Sequence, residues 1–195
     1  QASRPFDSGR DGFVMAEGAA VLLLEEEEHA RRRKATILGE VVGYGATCDA
    51  GHITSPDFQG GARAMEIAIK QSGVPVAEIG YINAHATGTK EGDRSEAAAI
   101  RSVFGDSLKT LKVSATKSMT GHLFGAAGGI EAIITIEALR HGILPPTVNL
   151  DSPDEECDIP HICNRAVQTS TCYALSNSFG FGGHNASLVF RKYEE

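Results

Sequence analysis

The 195-residue sequence lacks several features that mark whole classes of protein. No apolar run reaches the roughly 18–20 residues that a membrane helix needs, and the first residues lack the charged-then-apolar pattern of a signal peptide. The chain does not begin with Met, so we expect a piece of a longer protein. Basic residues are not in excess, because the net charge is −7. This charge argues against binding to nucleic acid or to an anionic membrane through bulk electrostatics.

The four cysteines form no recognisable metal or redox motif. They lie at positions 48, 157, 163 and 172, without a CxxC pair and without the Cys and His spacing of a zinc site. We therefore expect reduced structural thiols and no metal site, with disulfides or a metal as the alternatives. The expected location is cytoplasmic, or mitochondrial or plastid if the source is eukaryotic.

Short apolar strands alternate with helices, which predicts an α/β fold with a mostly parallel or mixed sheet. The predicted strands cover residues 19–25, 37–44, 81–84, 111–115, 173–177 and 186–191. The predicted helices cover residues 26–34, 61–72, 93–104 and 129–141. Asp93 and Glu96 resemble a capping box at the start of the third helix. The fourth helix is apolar on most faces, which predicts burial with protein on both sides.

Three segments place polar chemistry just past predicted strands. His85 is followed by Thr87 and Thr89, while Lys117 and His122 follow the next strand along the chain. A glycine-rich tip lies between the last two strands, which we expect to be antiparallel neighbours. Open α/β sheets build sites from polar groups at the ends of neighbouring strands. One such His is usually structural, but two with flanking Thr, Lys and Gly favour a functional site.

Rival motifs are weaker. Ser114 to Lys117 matches the S-x-x-K pattern of serine acyl-transfer enzymes, but no S-D-N or K-T-G follows. There is no G-x-S-x-G elbow. Neither Gly43-Tyr44-Gly45 nor Gly180-Phe181-Gly182 completes G-x-G-x-x-G, so dinucleotide binding has little support.

Taken together, these segments resemble the C-terminal half of the β-ketoacyl-acyl carrier protein synthases, most closely the synthase II type. The resemblance rests on several blocks in the family's order. They are N-A-H-x-T-x-T from position 83, T-K-S-x-T-G-H from 116, P-P-T-x-N-L from 145 and N-S-F-G-F-G-G-x-N from 177. Residues 4–19 resemble the end of the family's N-terminal half. Ala86, His184 and the segment 90–92 depart from the family's usual Gly, Thr and Pro-x-Gly, which leaves the acyl chain-length preference open.

The resemblance implies a thiolase-like fold, in which two similar α/β halves form five layers in the order α-β-α-β-α. Residues 1–40 would be the end of the N-terminal half, and residues 41–195 would be the C-terminal ketosynthase half. The family's nucleophilic Cys belongs to the N-terminal half, upstream of this chain. None of the four cysteines lies in a matching block, so we expect this chain to be inactive alone.

The resemblance also implies the reaction of a 3-oxoacyl-acyl carrier protein synthase in fatty-acid biosynthesis. In that reaction, malonyl-acyl carrier protein loses CO₂ and condenses with an acyl group held on the Cys. His85 and His122 would donate hydrogen bonds to the enolate, and Lys117 would orient the site with Glu131 as its partner. Phe181 would form part of the acyl oxyanion hole and gate the acyl pocket.

Further residues and partners follow from the same resemblance. Thr87 and Thr89 would bind the phosphopantetheine arm, and Gly180 and Gly182 would shape the substrate loop. The arm arrives on the acyl carrier protein, so no bound cofactor is expected. The missing N-terminal half and a second copy of the whole protein, as a homodimer, would be the other partners. The alternatives are a polyketide-type ketosynthase, a malonyl decarboxylase relative or a non-catalytic partner half.

Overall fold

The computed structural model describes residues 2–194 and shows a mixed α/β arrangement. Its helices are α1 (Glu27–Arg32), α2 (Phe58–Ser72), α3 (Lys90–Phe104), α4 (Lys117–Thr120) and α5 (Ala127–His141). Its strands are β1 (Glu40–Cys48), β2 (Ile79–Asn83), β3 (Lys112–Ser114), β4 (Ile143–Leu144), β5 (Val167–Gln168), β6 (Tyr173–Gly180) and β7 (His184–Arg191). No helix among the described residues is long and apolar enough to cross a membrane.

Five strands form a mixed sheet in the order β1-β7-β6-β2-β3. The strand β7 runs antiparallel to both of its neighbours, β1 and β6. The strands β6, β2 and β3 run parallel to one another. The predicted antiparallel pairing of the last two strands is confirmed. The short strands β4 and β5 pair separately.

Helices cover both faces of this sheet. Along each strand, successive side chains point to opposite faces, so Tyr81 and Ile82 enter different cores. Ile82 packs with Met65 of α2 and Ile100 of α3 on one face. Tyr81 packs with Leu139 of α5 on the other face. The result is a helix–sheet–helix sandwich in which the carboxyl ends of β2, β3 and β6 lie at the same end of the sheet.

The predicted strand at residues 19–25 is wrong in the described structure. This segment is extended but pairs with no strand among residues 2–194. Ala20 and Leu22 lie beside Gly129 of α5, whereas Val21 is 91% exposed and Leu23 is 78% exposed. The apolar pattern indicated a buried strand, but no partner strand covers its outer side in the described residues.

Two helix predictions also need correction. The helix α3 begins at Lys90 rather than at Asp93, and Thr89 is its N-cap, accepting a hydrogen bond from the Gly92 N–H at 3.2 Å. The capping box was therefore wrong, and Asp93 lies inside the helix as a buried acid. The helix α5 packs on the sheet, but Ile133 on its outer side is exposed. Protein on both sides of α5 stays a prediction.

Candidate active site

The two predicted histidines meet where neighbouring parallel strands end. Asn83 at the end of β2 pairs in register with Ser114 at the end of β3. His85 follows β2 by two residues, and His122 follows β3 after the short helix α4. Their ring centroids are 5.5 Å apart, and the ring planes are inclined at 84°. The strand ends therefore bring two imidazoles from distant parts of the chain face to edge.

Backbone hydrogen bonds set the orientation of His122. The Phe124 N–H donates to Nδ1 of the imidazole at 3.3 Å, so the neutral ring carries its proton on Nε2. The His122 N–H donates to the Val14 carbonyl at 2.7 Å, and the Ala16 N–H donates to the His122 carbonyl at 3.0 Å. The Nε2–H group is thus a fixed hydrogen-bond donor.

Both rings are held in the neutral form. Burial lowers the pKa of His85 well below its usual 6.5, and the positive charge of Lys117 lowers it further. Burial together with Lys117 lowers the pKa of His122 to about 4. A neutral imidazole has one donor and one acceptor nitrogen, so near pH 7 each ring can donate one hydrogen bond without carrying charge.

Lys117 and Glu131 form a buried ion pair behind the histidines. Both side chains are almost fully shielded from solvent, and the Lys117 ammonium contacts Oε1 of Glu131. Burial raises the pKa of Glu131 to about 7, although the Lys117 charge opposes that rise. The sequence could not bring these residues together by spacing, because fourteen positions and a turn at Gly121 separate them.

Glu96 is a site residue that the sequence reasoning missed. Its carboxylate accepts hydrogen bonds from the His85 N–H at 2.9 Å, the Ala86 N–H at 2.7 Å and the Asn177 side-chain amide at 3.0 Å. Burial raises the pKa of Glu96, while these hydrogen bonds oppose the rise. An acid on the buried, Ala-rich face of α3 was the available signal, but we interpreted it as a helix cap.

The two predicted threonines lie in the loop between β2 and α3. The hydroxyl oxygens of Thr87 and Thr89 are 3.1 Å apart, and both residues line the same cavity as His85. Gly88 between them has a φ of 89°, which a residue with a Cβ rarely adopts. Thr89 therefore serves as a helix cap and lines the cavity at the same time.

The glycine-rich tip closes another side of the cavity. Phe181 lies in the turn between β6 and β7 and is 61% exposed. The Gly182 N–H donates to the Ile53 carbonyl, and the Asp49 N–H donates to the Gly183 carbonyl, each at 2.9 Å. Gly180 lines the cavity, whereas Gly182 does not. The segment after β1 thus holds the tip in place.

The cavity enclosed by these elements has a volume of about 820 Å³. The two histidines, the two threonines and Phe181 all line it, while Lys117 and Glu131 lie behind the wall. None of the four cysteines of residues 2–194 lines the cavity. Cys157 is buried elsewhere, and burial raises the pKa of its thiol to about 12. Within this range, no group of three or more His, Cys, Asp or Glu side chains could hold a metal.

Comparison with known families gives two matches along the chain. The profile of the beta-ketoacyl synthase C-terminal domain matches residues 38–151. The profile of the beta-ketoacyl synthase N-terminal domain matches residues 1–30. The first match alone covers more than half of the chain.

Curated relatives are similar over almost the whole chain. A 3-oxoacyl-[acyl-carrier-protein] synthase 2 from Staphylococcus aureus (strain COL) is 51% identical over 99% of this chain and 47% of its own length. A synthase of the same name from Synechocystis sp. has the same identity and the same coverage. The chain thus spans about half of the length of the curated relatives that it matches.

Solved ketosynthase structures share the fold. The ishigamide ketosynthase/chain length factor matches with a TM-score of 0.96 at 43% identity, over 100% of this chain and 48% of that one. A type II polyketide synthase acyl-carrier protein complex with its ketosynthase matches at 0.96 and 36% identity, over 99% and 48%. A Burkholderia phymatum beta-ketoacyl synthase matches at 0.94 and 43% identity, over 98% and 46%. The predicted thiolase-like class is confirmed by these neighbours.

Proposed function

Because the chain belongs to the beta-ketoacyl synthase family, we propose that it provides the malonyl side of a condensing active site. The whole protein would act as a 3-oxoacyl-acyl carrier protein synthase in fatty-acid biosynthesis. The observation that supports this proposal most directly is the pair of neutral imidazoles, whose ring centroids are 5.5 Å apart and which both line a cavity of about 820 Å³. We place the end of the N-terminal half at residues 1–40 and the C-terminal half at 41–195.

Loss of CO₂ from a malonyl thioester leaves an electron pair, which becomes an enolate with negative charge on the thioester oxygen. His122 donates to that oxygen through Nε2–H, and His85 donates through its own ring N–H. Because burial keeps both rings neutral, each ring donates through one N–H and keeps its other nitrogen as an acceptor. Fixed donors aimed at developing charge stabilise the transition state more than the substrate.

Lys117, Glu131 and Glu96 support this pair. The Lys117 charge adds a positive potential beside both rings, and its partner Glu131 keeps the ammonium in place. Glu96 holds the backbone of His85 and Ala86 and so fixes where the first imidazole lies. These three groups are positioning residues, because they act through the histidines.

The enolate carbon then attacks the carbonyl of an acyl thioester, forming a carbon–carbon bond and releasing the thiolate. None of the cysteines of residues 2–194 lines the cavity, so we assign this thiolate to a part of the protein outside the chain. The backbone N–H of Phe181 would bind the acyl carbonyl oxygen, and its ring would gate the acyl side. Gly180 and Gly182 would allow the backbone of that turn to adopt its conformation.

Both substrates would arrive on an acyl carrier protein. One similar ketosynthase is described in complex with a type II polyketide synthase acyl-carrier protein, which supports the same class of partner here. Thr87 and Thr89 offer hydroxyl groups for the amides of the phosphopantetheine arm. No cofactor is needed beyond that arm, and a homodimer of the whole protein stays part of the proposal.

A polyketide-type ketosynthase is the second candidate. It is favoured by the solved ketosynthase described with a type II polyketide synthase acyl-carrier protein, which matches with a TM-score of 0.96. The 51% identity to two proteins named 3-oxoacyl-[acyl-carrier-protein] synthase 2 favours the first candidate. Turnover with a reduced acyl primer but not with a 3-oxoacyl primer would support the fatty-acid reading. The reverse preference would support the polyketide reading.

The decisive test uses a chimera in which the part of the Staphylococcus aureus relative that precedes its match to this chain is joined to the start of this chain. His85→Ala and His122→Ala should each lower CO₂ release from a carboxyl-labelled malonyl thioester by about 10²–10³. Acyl transfer to the chimera's Cys should persist, because it does not use the enolate. His141→Ala is the matched control, since this exposed His pairs only with Glu137. Normal CO₂ release in both test variants would contradict the proposal.

Phe181→Ala tests the acyl side in the same chimera. Because Phe181 lies on the tip, its loss should change acyl loading and chain-length preference more than CO₂ release. Phe181→Leu retains an apolar side chain of similar reach and should restore most of the preference. Unchanged loading of both long and short acyl groups by Phe181→Ala would exclude the gate.

A further inference from the structure

Arg10 is a buried cation that the proposed mechanism does not use. Its side chain has no exposed surface and is the largest among the fully buried side chains. Acceptor atoms surround the guanidinium on every side. One terminal nitrogen (Nη1) donates to the Asp7 carbonyl at 2.8 Å and to Asp154 Oδ2 at 2.7 Å. The other terminal nitrogen (Nη2) donates to the Lys90 carbonyl at 3.1 Å. The Nε nitrogen donates to the Thr89 carbonyl at 3.3 Å and lies 3.4 Å from Asp93 Oδ2.

Two of these acceptors belong to the segment 87–90, which we name the threonine loop. The carbonyls of Thr89 and Lys90 both receive hydrogen bonds from Arg10. A charge without solvent is costly unless every donor is paired. Displacement of the threonine loop would leave part of the guanidinium unpaired, so the buried charge resists such displacement.

Asp93 extends this hold to the middle of the threonine loop. One carboxylate oxygen accepts from the Gly88 N–H at 3.0 Å, and the other accepts from the Phe6 N–H at 2.8 Å. The Gly12 N–H also donates to the Gly88 carbonyl at 3.0 Å. An added Cβ at Gly88 would lie 2.8 Å from the Gly12 carbonyl oxygen. The residue 6–12 segment and the loop are therefore in direct contact.

We propose that Arg10 is a positioning residue for substrate binding, which holds the threonine loop so that Thr87 and Thr89 meet the phosphopantetheine arm. This inference rests on the proposed function, because that function supplies the arm. It adds a residue that does not itself line the cavity, in a segment that matches the family's N-terminal domain. The hydroxyl groups of Thr87 and Thr89, whose oxygens are 3.1 Å apart, are the groups that the hydrogen bonds of Arg10 keep in position.

The shape of the guanidinium explains why this position needs arginine. Different nitrogens of the planar fork reach Thr89 and Lys90 on one side and Asp7 and Asp154 on the other. The compact ammonium of lysine cannot reach acceptors spread in this way. Arg10→Lys should therefore keep the charge but form only some of the hydrogen bonds that fix the threonine loop.

The test uses this chain with Arg10→Met and Arg10→Lys, and has two measurements by NMR. The first is amide hydrogen exchange at Gly88, compared with the amides of β2. The second is the Kd of pantetheine as a probe of the arm. For Arg10→Met we expect Gly88 exchange to rise and pantetheine to bind about tenfold more weakly, because two or more hydrogen bonds that place the loop are lost. Arg10→Lys should be intermediate in both.

Arg101→Met is the matched control. Arg101 lies on α3, the helix that follows the threonine loop, and donates to the carbonyls of Glu156 and Asp158, away from that loop. It should leave Gly88 exchange and pantetheine binding unchanged.

Unchanged Gly88 exchange and unchanged pantetheine binding in Arg10→Met would overturn the proposal. Equal acceleration at Gly88 and in β2 would also overturn it, because that pattern means global destabilisation only. If Arg10→Met does not fold, Arg10→Lys at a temperature well below its unfolding midpoint decides by the same criteria. If the unaltered chain binds no pantetheine, the arm-binding part of the proposed function fails, and Gly88 exchange alone then decides whether Arg10 holds the loop.

Discussion

At the scale of single residues, one backbone hydrogen bond decides what His122 can do. Because the Phe124 N–H occupies Nδ1, the donor nitrogen is the one left free. The nearby Lys117 charge and burial then keep the ring neutral. Neither fact is visible in the sequence, which shows only a His six positions after Thr116.

The stability of the chain should report the lowered pKa of His122. The folded pKa is about 4 and the reference value is 6.5, so between these values the unfolded state binds a proton that the folded state does not. The stabilisation is complete above about pH 6.5 and is lost as the pH falls towards about 4. The thermal midpoint of the unaltered chain should therefore fall more steeply in this window than that of His122→Gln.

The comparison between the two proteins isolates one group. Asp93 and Glu131 have pKa values raised to about 7 and oppose the trend, but they are present in both proteins and cancel. If the thermal midpoints of the unaltered chain and of His122→Gln change in parallel from pH 6.5 to 4, the lowered pKa of His122 is contradicted.

The sequence indicates which residues lie close together where they follow neighbouring strands, and it misses contacts that depend on burial inside a helix. His85 and His122 follow strands, so their proximity could be expected from the sheet alone. Glu96 and Asp93 lie inside a helix, where an acid usually faces solvent. Their contacts with backbone N–H groups of distant loops depend on how α3 docks on the sheet, which no local pattern encodes.

At the scale of elements, the sequence predicts most helices and strands but places their ends imprecisely. Strand β1 was expected at residues 37–44 and runs from Glu40 to Cys48. The glycines of β1 explain how closely α2 packs against it. A Cβ at Gly43 would lie 2.2 Å from the Ala68 carbonyl oxygen, and one at Gly45 would lie 2.0 Å from that of Ala64. The helix α2 therefore rests directly on the β1 backbone.

Gly45→Ala should destabilise the chain by about 1–3 kcal/mol, because the added methyl group forces α2 away from β1. The free energy of unfolding in urea measures this change. Gly51→Ala is the matched control, since the nearest atom to an added Cβ there is 4.0 Å away. Equal stability of the two variants would show that α2 and β1 separate at little cost.

At the scale of the whole molecule, the described residues form three layers with apolar side chains left outside. The extended segment 19–25 carries the most exposed of them, Val21, Leu23 and Leu24. Part of α5 is covered by Leu22 of the same segment. A contiguous exposed apolar segment marks a surface that associates or aggregates.

The isolated chain should therefore self-associate in sedimentation experiments and show no condensing activity. Substitution of Val21, Leu23 and Leu24 by Ser should shift it towards the monomer. Ile53→Ser is the matched control, because this exposed residue lies apart at the cavity rim. A dispersed monomer of the unaltered chain would contradict the packing argument, and turnover by the chain alone would contradict the assignment of the nucleophile elsewhere.

The strand order also has a consequence for synthesis on the ribosome. The strand β7, which is translated last of the sheet, lies between β1 and β6. Among the described residues β7 is the strand that pairs with β1, so the edge of β1 that β7 joins stays open from the translation of Cys48 until Arg191 has emerged. Pairing over such a sequence separation is slow, and an open edge recruits other chains. Because α2, the helix that follows β1 directly, packs against a face of the strand and not along this edge, the edge of the nascent strand closes only when β7 pairs with it.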